Sequence, residues 1–297
     1  MFQVVEYLHL EKVLSRRCLN RSIRVIKIVL APFEYVRRRF GIPQRTVSDG
    51  LTVPEGLDYL ALPRGSLEDV GELTTHCQGL LDKRLIEIGG NYEFPYTMIL
   101  DLSSDKNGPF ISDPEALAPI IKFATQPRLI ELITNYIGEI PVISNVTVAY
   151  TAVNDMTISA QQFHIDGNQD RQLHLVVDLS DVGEDAGPFT FVPGDKSRFV
   201  RHLIGHDRGR VSDETLFQHI DHADLIHCTG KAGAAYLVNA YACLHQGARS
   251  RGTARYILII NYTSLFEWSE GVYALYRSSN RQALDDGSKR YRDLLNL

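Results

Sequence analysis

Residues two apart on a β-strand project from the same face. In the triplet His164-Ile165-Asp166, the imidazole and the carboxylate can therefore hold one ion together while Ile165 points away. A second imidazole follows in Leu244-His245-Gln246-Gly247, on what must be another strand. Two imidazoles and one carboxylate suit a non-haem Fe(II) centre, and three protein ligands leave up to three positions of an octahedral ion open for a co-substrate and dioxygen. The triplet alone is common by chance. Its context is rarer: Gly187-Pro188-Phe189-Thr190-Phe191-Val192-Pro193-Gly194-Asp195 lies between the two halves, and Arg255 stands beyond the second histidine at the head of an apolar run.

Such a centre needs strands to carry it. From Ile143 onwards the chain breaks into short β-rich runs at 146–153, 173–179, 189–192, 235–238 and 256–262, separated by turn residues as an antiparallel barrel or sandwich requires. Between Pro193 and Gly233 lies a long polar excursion whose one helix-like piece is 213–217. A connection of that length is more often a functional cover than a passive link. The first half reads as mainly helical. Ser66 is a good N-cap, with Glu68 and Asp69 in a first turn that would run on towards Lys83. Pro114 and Pro127 each stand where a helix begins.

Residues 1–45 form a basic, helical N-terminal segment with ten lysines and arginines against Glu6, Glu11 and Glu34. Ile23, Ile26, Val29 and Leu30 recur among the cations at helical spacing. Two arrangements fit: a helix packed on the catalytic domain with its charges in water, or a surface that touches an anionic membrane or a carrier protein. For the whole chain the net charge is -5, which gives no global support for nucleic-acid binding. Cys18, Cys77, Cys228 and Cys243 lie far apart, so neither a zinc knuckle nor a disulfide framework is implied and a reducing setting is expected. With no long uncharged apolar run and no signal-peptide layout, the expectation is a soluble, cytoplasmic protein.

Phe163-His164-Ile165-Asp166-Gly167, Gly187-Pro188 with Val192-Pro193-Gly194, Leu244-His245-Gln246-Gly247 and Arg255 together resemble the Fe(II)- and 2-oxoglutarate-dependent dioxygenases, and within them the phytanoyl-CoA dioxygenase-like group. The resemblance covers roughly residues 143–265. It implies an α+β fold, with a double-stranded β-helix (jelly roll, cupin-like) core over 143–265 and the mainly helical N-terminal half packed on it. Residues 46–297 would form a single dioxygenase domain with a lid-like excursion over 195–232.

The resemblance further implies that His164, Asp166 and His245 ligate iron and that Arg255 binds the distal carboxylate of 2-oxoglutarate. A guanidinium grips a carboxylate bidentately and stays charged, as that role requires. Related enzymes often place a glutamine just before the triplet against 2-oxoglutarate, which nominates Gln161 or Gln162; strand alternation favours Gln162. The implied cofactors are Fe(II), 2-oxoglutarate and dioxygen, with ascorbate stimulating turnover. The implied reaction is hydroxylation of an unactivated carbon of a small organic metabolite, with 2-oxoglutarate decarboxylated to succinate. Asp166 disfavours halogenation, because related halogenases have a small residue there. The chain departs from the group at Phe189, where many members carry a small hydroxyl residue, and at Asp195-Lys196 in place of Ser-His.

Two other readings use the same ligands: a non-catalytic cupin-like protein that holds a small ligand or metal, and a zinc hydrolase. A hydrolase gives no special reason for Arg255. Arg249 and Arg251, in the turn before Arg255, are expected to face water. His174 is either inward near the co-substrate or a structural, hydrogen-bonded histidine. His202, His206, His219, His222 and His227 crowd the excursion without a clear ligand geometry. Tyr150, Asn239 and Tyr241 are compatible with either pocket lining or barrel packing.

Overall fold

In the computed structural model, residues 16–41, 50–89, 96–101, 114–166, 171–205 and 209–267 are described. Helices α1 (Arg16–Leu30) and α2 (Pro32–Phe40) precede strand β1 (Tyr59–Leu62), helix α3 (Val70–Ile88), strand β2 (Thr97–Asp101) and helices α4 (Pro114–Ala124) and α5 (Pro127–Ile137). The second half holds β3 (Val142–Thr151), β4 (Phe163–His164), β5 (Gln172–Asp178), β6 (Thr190–Phe191), helix α6 (Gly194–Leu203), β7 (Arg210–Val211), helix α7 (Asp213–Leu216), β8 (Ile226–His227), β9 (Ala235–Val238), β10 (His245–Gln246) and β11 (Arg255–Thr263).

Two antiparallel sheets result, a six-stranded one in the order β1-β9-β5-β11-β3-β2 and a five-stranded one in the order β7-β4-β10-β6-β8. The long β-branched strands β3 and β11 pair along their length, with a register shift at Asn261/Tyr262. Alternation sorts the side chains of the larger sheet. Leu173, Leu175 and Val177 of β5 join Leu258, Ile260 and Tyr262 of β11 in a core covered by α3, α4 and α5. The opposite face carries Val176, Val238 and Ile257, which pack with Phe189 and Phe191. A third cluster of Phe163, Val192, Val200, Val211, Leu216 and Leu244 packs the excursion onto the smaller sheet.

Several expectations change here. The mainly helical half also supplies β1 and β2, the two edge strands of the larger sheet. The helix expected from Ser66 begins at Val70, because Asp69 adopts φ 56° and Gln126 pins the preceding turn: its side-chain amide bonds the Glu68 N–H at 2.9 Å and the Glu68 carbonyl at 2.8 Å. It ends at Gly89 in the left-handed conformation that glycine adopts freely. In the excursion, 213–217 is not the one helical piece, since Gly194–Leu203 forms α6 with Asp195 in its first turn. The excursion also supplies β7 and β8, the two edges of the smaller sheet.

The N-terminal helix packs on the rest of the fold through Ile23, but part of the expected polarity is reversed. Glu139 is wholly buried, and an unpaired buried charge is costly. Arg24 compensates it through a 2.7 Å bond to Glu139 and a 2.9 Å bond to Ser264, while Lys27 donates to the carbonyls of Leu265 and Glu267. These charges face protein, whereas Val25, Ile26, Val29, Leu30 and Phe33 of the same helical pair are exposed, Phe33 by 90%. Among the described residues, no helix is long and apolar enough to cross a membrane.

Candidate metal centre

The site is built across one pair of strands. His164 of β4 and His245 of β10 are direct cross-strand partners, and His245 is also opposite Phe191 of β6. Facing residues on neighbouring strands lie close enough for their side chains to meet, so register alone places the two imidazoles together, with ring centroids 4.3 Å apart. The strand ends at His164, two residues before the Asp166 that the triplet pattern places on it. Asp166 is held by a 2.9 Å bond from its own N–H to the Ala240 carbonyl.

His164 Nε2 lies 3.4 Å from Asp166 Oδ1, and His245 Nε2 lies 3.5 Å from Asp166 Oδ2. The three potential ligand atoms fall within 4.8 Å of one another, the only such group of three found among the described residues. On the far side of each ring, Nδ1 faces a backbone carbonyl: Gln162 at 2.8 Å for His164 and Cys243 at 3.0 Å for His245. A carbonyl can only accept, so each Nδ1 carries the proton and each Nε2 turns its lone pair towards the shared point. Phe189 stacks on His245 at 5.1 Å and fixes the ring plane from the side.

Burial, with His245 adding to it, lowers the His164 pKa and keeps the imidazole in its neutral, ligating form. Burial would raise the Asp166 carboxyl, but the imidazoles of His245, His164 and His174 outweigh it and hold the group well below its ordinary range. Two neutral nitrogen donors and one ionised oxygen donor, all aimed at one point, fit a divalent first-row metal ion.

Arg255, the first residue of β11, is 4% exposed. A Cβ placed on Gly247 would lie 3.5 Å from Arg255 Nη2, so the guanidinium lies beside the segment that carries His245. Its Nε and Nη1 have no hydrogen-bond partner. Burial lowers the Arg255 pKa to about 10, with Asp178 and Cys228 pulling it back up, so the group stays charged at neutral pH. An unpartnered buried cation close to the segment that carries His245 fits a bound carboxylate.

The chain shares its fold with EctD from S. alaskensis. Against EctD crystallised with bound Fe, the TM-score is 0.51 at 17% identity, over 77% of this chain and 79% of that one. Against EctD with 2-oxoglutarate and 5-hydroxyectoine, it is 0.52 at 15% identity, over 77% of this chain and 78% of that one. No protein-family model matches the chain, and no curated protein matches it significantly.

Within the fold shared with EctD, the remaining candidate residues take the following places. Gln162 is half-buried, and its backbone carbonyl is the part that touches His164. Gln161 is wholly buried and structural, bonding the Ala248 carbonyl at 2.7 Å and Asn154 at 2.8 Å. Arg249 does not face water: it forms a bidentate pair with Asp213 at 2.6 and 2.7 Å and lies over the Phe163 ring. Arg251 is exposed, as expected, and ties the turn to the Asn154 and Met156 carbonyls. His174 is inward and buried, its Nδ1 3.7 Å from Asp166 Oδ2, and burial lowers its pKa to about 4.

The excursion histidines do not converge among the described residues: His222 stacks on Phe217, and His227 lies 3.3 Å from Glu184. His206 lies outside the described residues. Asn239 braces a turn, its side chain accepting from the N–H groups of Tyr241 and Ala242, and Tyr150 packs against Tyr256 in the helix-covered core. One buried group escaped the sequence reading. Asp178 shares the inward face of β5 with His174 and Val176, and an acidic residue in that alternation was the available signal.

Proposed function

We propose that this protein is an Fe(II)- and 2-oxoglutarate-dependent oxygenase, phytanoyl-CoA dioxygenase-like, that hydroxylates an unactivated carbon of a small organic metabolite within a double-stranded β-helix. The observation that carries the reading is the pairing of a convergent His164–Asp166–His245 set with a buried, unpartnered Arg255. The fold shared with a protein crystallised with Fe, and with 2-oxoglutarate, supports the choice of metal and co-substrate.

When bound, the iron centre with 2-oxoglutarate and dioxygen supplies an oxidation that yields succinate and carbon dioxide and places one oxygen atom in a C–H bond. The chain's own residues prepare for this. His164 and His245 offer Nε2, each fixed in one tautomer by the carbonyl behind it. Asp166 offers a carboxylate that stays ionised and fills the position a halide would need. Arg255 neutralises the distal carboxylate of the co-substrate. The inward apolar side chains Val176 and Ile257, with Phe189, keep bulk water from the reacting centre.

Anaerobic addition of Fe(II) and 2-oxoglutarate to the purified protein is expected to produce the visible absorbance band of the chelate. With ascorbate, air and a panel of metabolites, succinate release identifies the substrate. Asp166→Ala and His245→Ala each lose the band and the succinate; full succinate production by either would falsify the ligand assignment. Neither metal nor 2-oxoglutarate affinity would point to a non-catalytic barrel, and tightly held zinc without the band to a hydrolase.

A further inference from the structure

Asp178 ends β5 on the face that looks between the sheets, wholly buried, and both of its carboxyl oxygens lack a hydrogen-bond partner. Native proteins rarely leave a buried polar group unsatisfied, and each such group calls for an explanation. Arg255 presents the complementary case on the adjacent strand. Asp178 is directly opposite Ile257, two residues from Arg255, so both groups point into one compartment. Nε and Nη1 of Arg255 are nevertheless without a partner, and no hydrogen bond joins the two groups. A structural ion pair would have closed. A guanidinium and a carboxyl that share one face without bonding each other have the chemistry to receive a second carboxylate.

We propose that Asp178 acts as a neutral carboxylic acid that donates its O–H to the same distal carboxylate of 2-oxoglutarate that Arg255 binds. The inference rests on the reading of Arg255 as the co-substrate anchor, and it assigns the opposite wall of that cradle. Burial supports it, since it pushes the Asp178 carboxyl up to about 7 against the pull of Arg255. Among the described residues, the other titratable groups facing Asp178 are Cys228, after β8, and Tyr236, on β9; burial pushes both upwards, so neither competes for a proton near neutrality. Tyr236 is committed to a 2.7 Å bond to the Thr229 carbonyl. No covalent bond changes: above the free pKa of Asp178, binding the co-substrate takes up one proton, and below it none.

Calorimetric titration of 2-oxoglutarate into the anaerobic Fe(II) protein, from pH 6 to 9, tests this. In the wild type the Kd is expected to be flat below about pH 7 and to weaken by about tenfold per pH unit above it. Asp178→Asn keeps a neutral donor of the same shape and is expected to bind with a pH-independent Kd across that range. Changes in metal-ligand protonation are common to both proteins and cancel in their ratio. At pH 8, titrations in two buffers of different ionisation enthalpy should show uptake of about one proton by the wild type and none by the variant. Parallel pH profiles, or no proton uptake by the wild type, would remove Asp178 from the cradle and leave the Arg255 reading standing. No binding at any pH in either protein would overturn both.

Discussion

At His164 and His245, the nitrogen that bonds the backbone decides the nitrogen left for metal. Asp178 shows the opposite case, because burial without a hydrogen-bond partner pushes its carboxyl up to about 7, where an acid would ordinarily be ionised. This has a consequence for the metal-free protein. In the unfolded chain the Asp178 carboxyl titrates near its ordinary 3.8, and in the folded protein at about 7. The folded state holds the proton more tightly, so this group's contribution is fully present below about pH 4 and is lost as pH rises towards 7 and beyond. A difference of about three pH units corresponds to on the order of 4 kcal/mol at most. Asp178→Asn, which stays neutral, is therefore expected to raise the Tm of the metal-free protein at pH 8 and to leave it nearly unchanged at pH 4. A variant no more stable than wild type at pH 8 would mean that Asp178 is ionised and compensated.

Among the elements, short strands do the positioning and long ones the supporting. β4, β6 and β10 have two residues each, yet their register aligns His164, His245 and Phe191 in one row, while β5, β11 and β3 lie side by side in the larger sheet. The turn before Arg255 is fixed by a close approach. Gly187 has φ +67°, and a Cβ there would lie 2.5 Å from the backbone of Arg249 and Ser250, which explains the glycine of the Gly187-Pro188 pair. Helix α1 depends on a different contact, its Arg24–Glu139 pair. Glu139 has no exposure and Arg24 keeps 17% of its side chain in solvent. Arg24→Ala should therefore cost about 2–3 kcal/mol by chemical denaturation, somewhat less than the loss of one partner in a wholly buried pair. Hydrogen exchange in α1 should accelerate with it, and unchanged protection there would show that Ile23 and Lys27 suffice to dock the helix.

For the whole molecule, the triad joins two segments far apart in sequence, so an ion bound there stabilises the folded state alone. Fe(II) and then 2-oxoglutarate, each at about 100 times its Kd, should add about 2.7 kcal/mol apiece, read as successive rises in Tm that a chelator reverses. Asp166→Ala should show neither rise. Much of this centre was legible in the chain. Metal chemistry restricts residue type and local spacing, so His164, Asp166, His245 and Arg255 stood out before any strand was paired. The β-rich runs and the helix starts at Pro114 and Pro127 were legible too, because periodicity and proline act within a few residues. What spans longer distances was not. β1 and β2 became strands only because the sheet offered them edges, Arg249 was drawn inwards by Asp213, and α1 turned Arg24 and Lys27 to the protein, where Glu139 lies buried beneath Arg24. The sequence by itself determined which groups could hold a metal and a carboxylate. Only the tertiary structure decided which buried group faces Arg255, because that pairing depends on the register of β5 against β11.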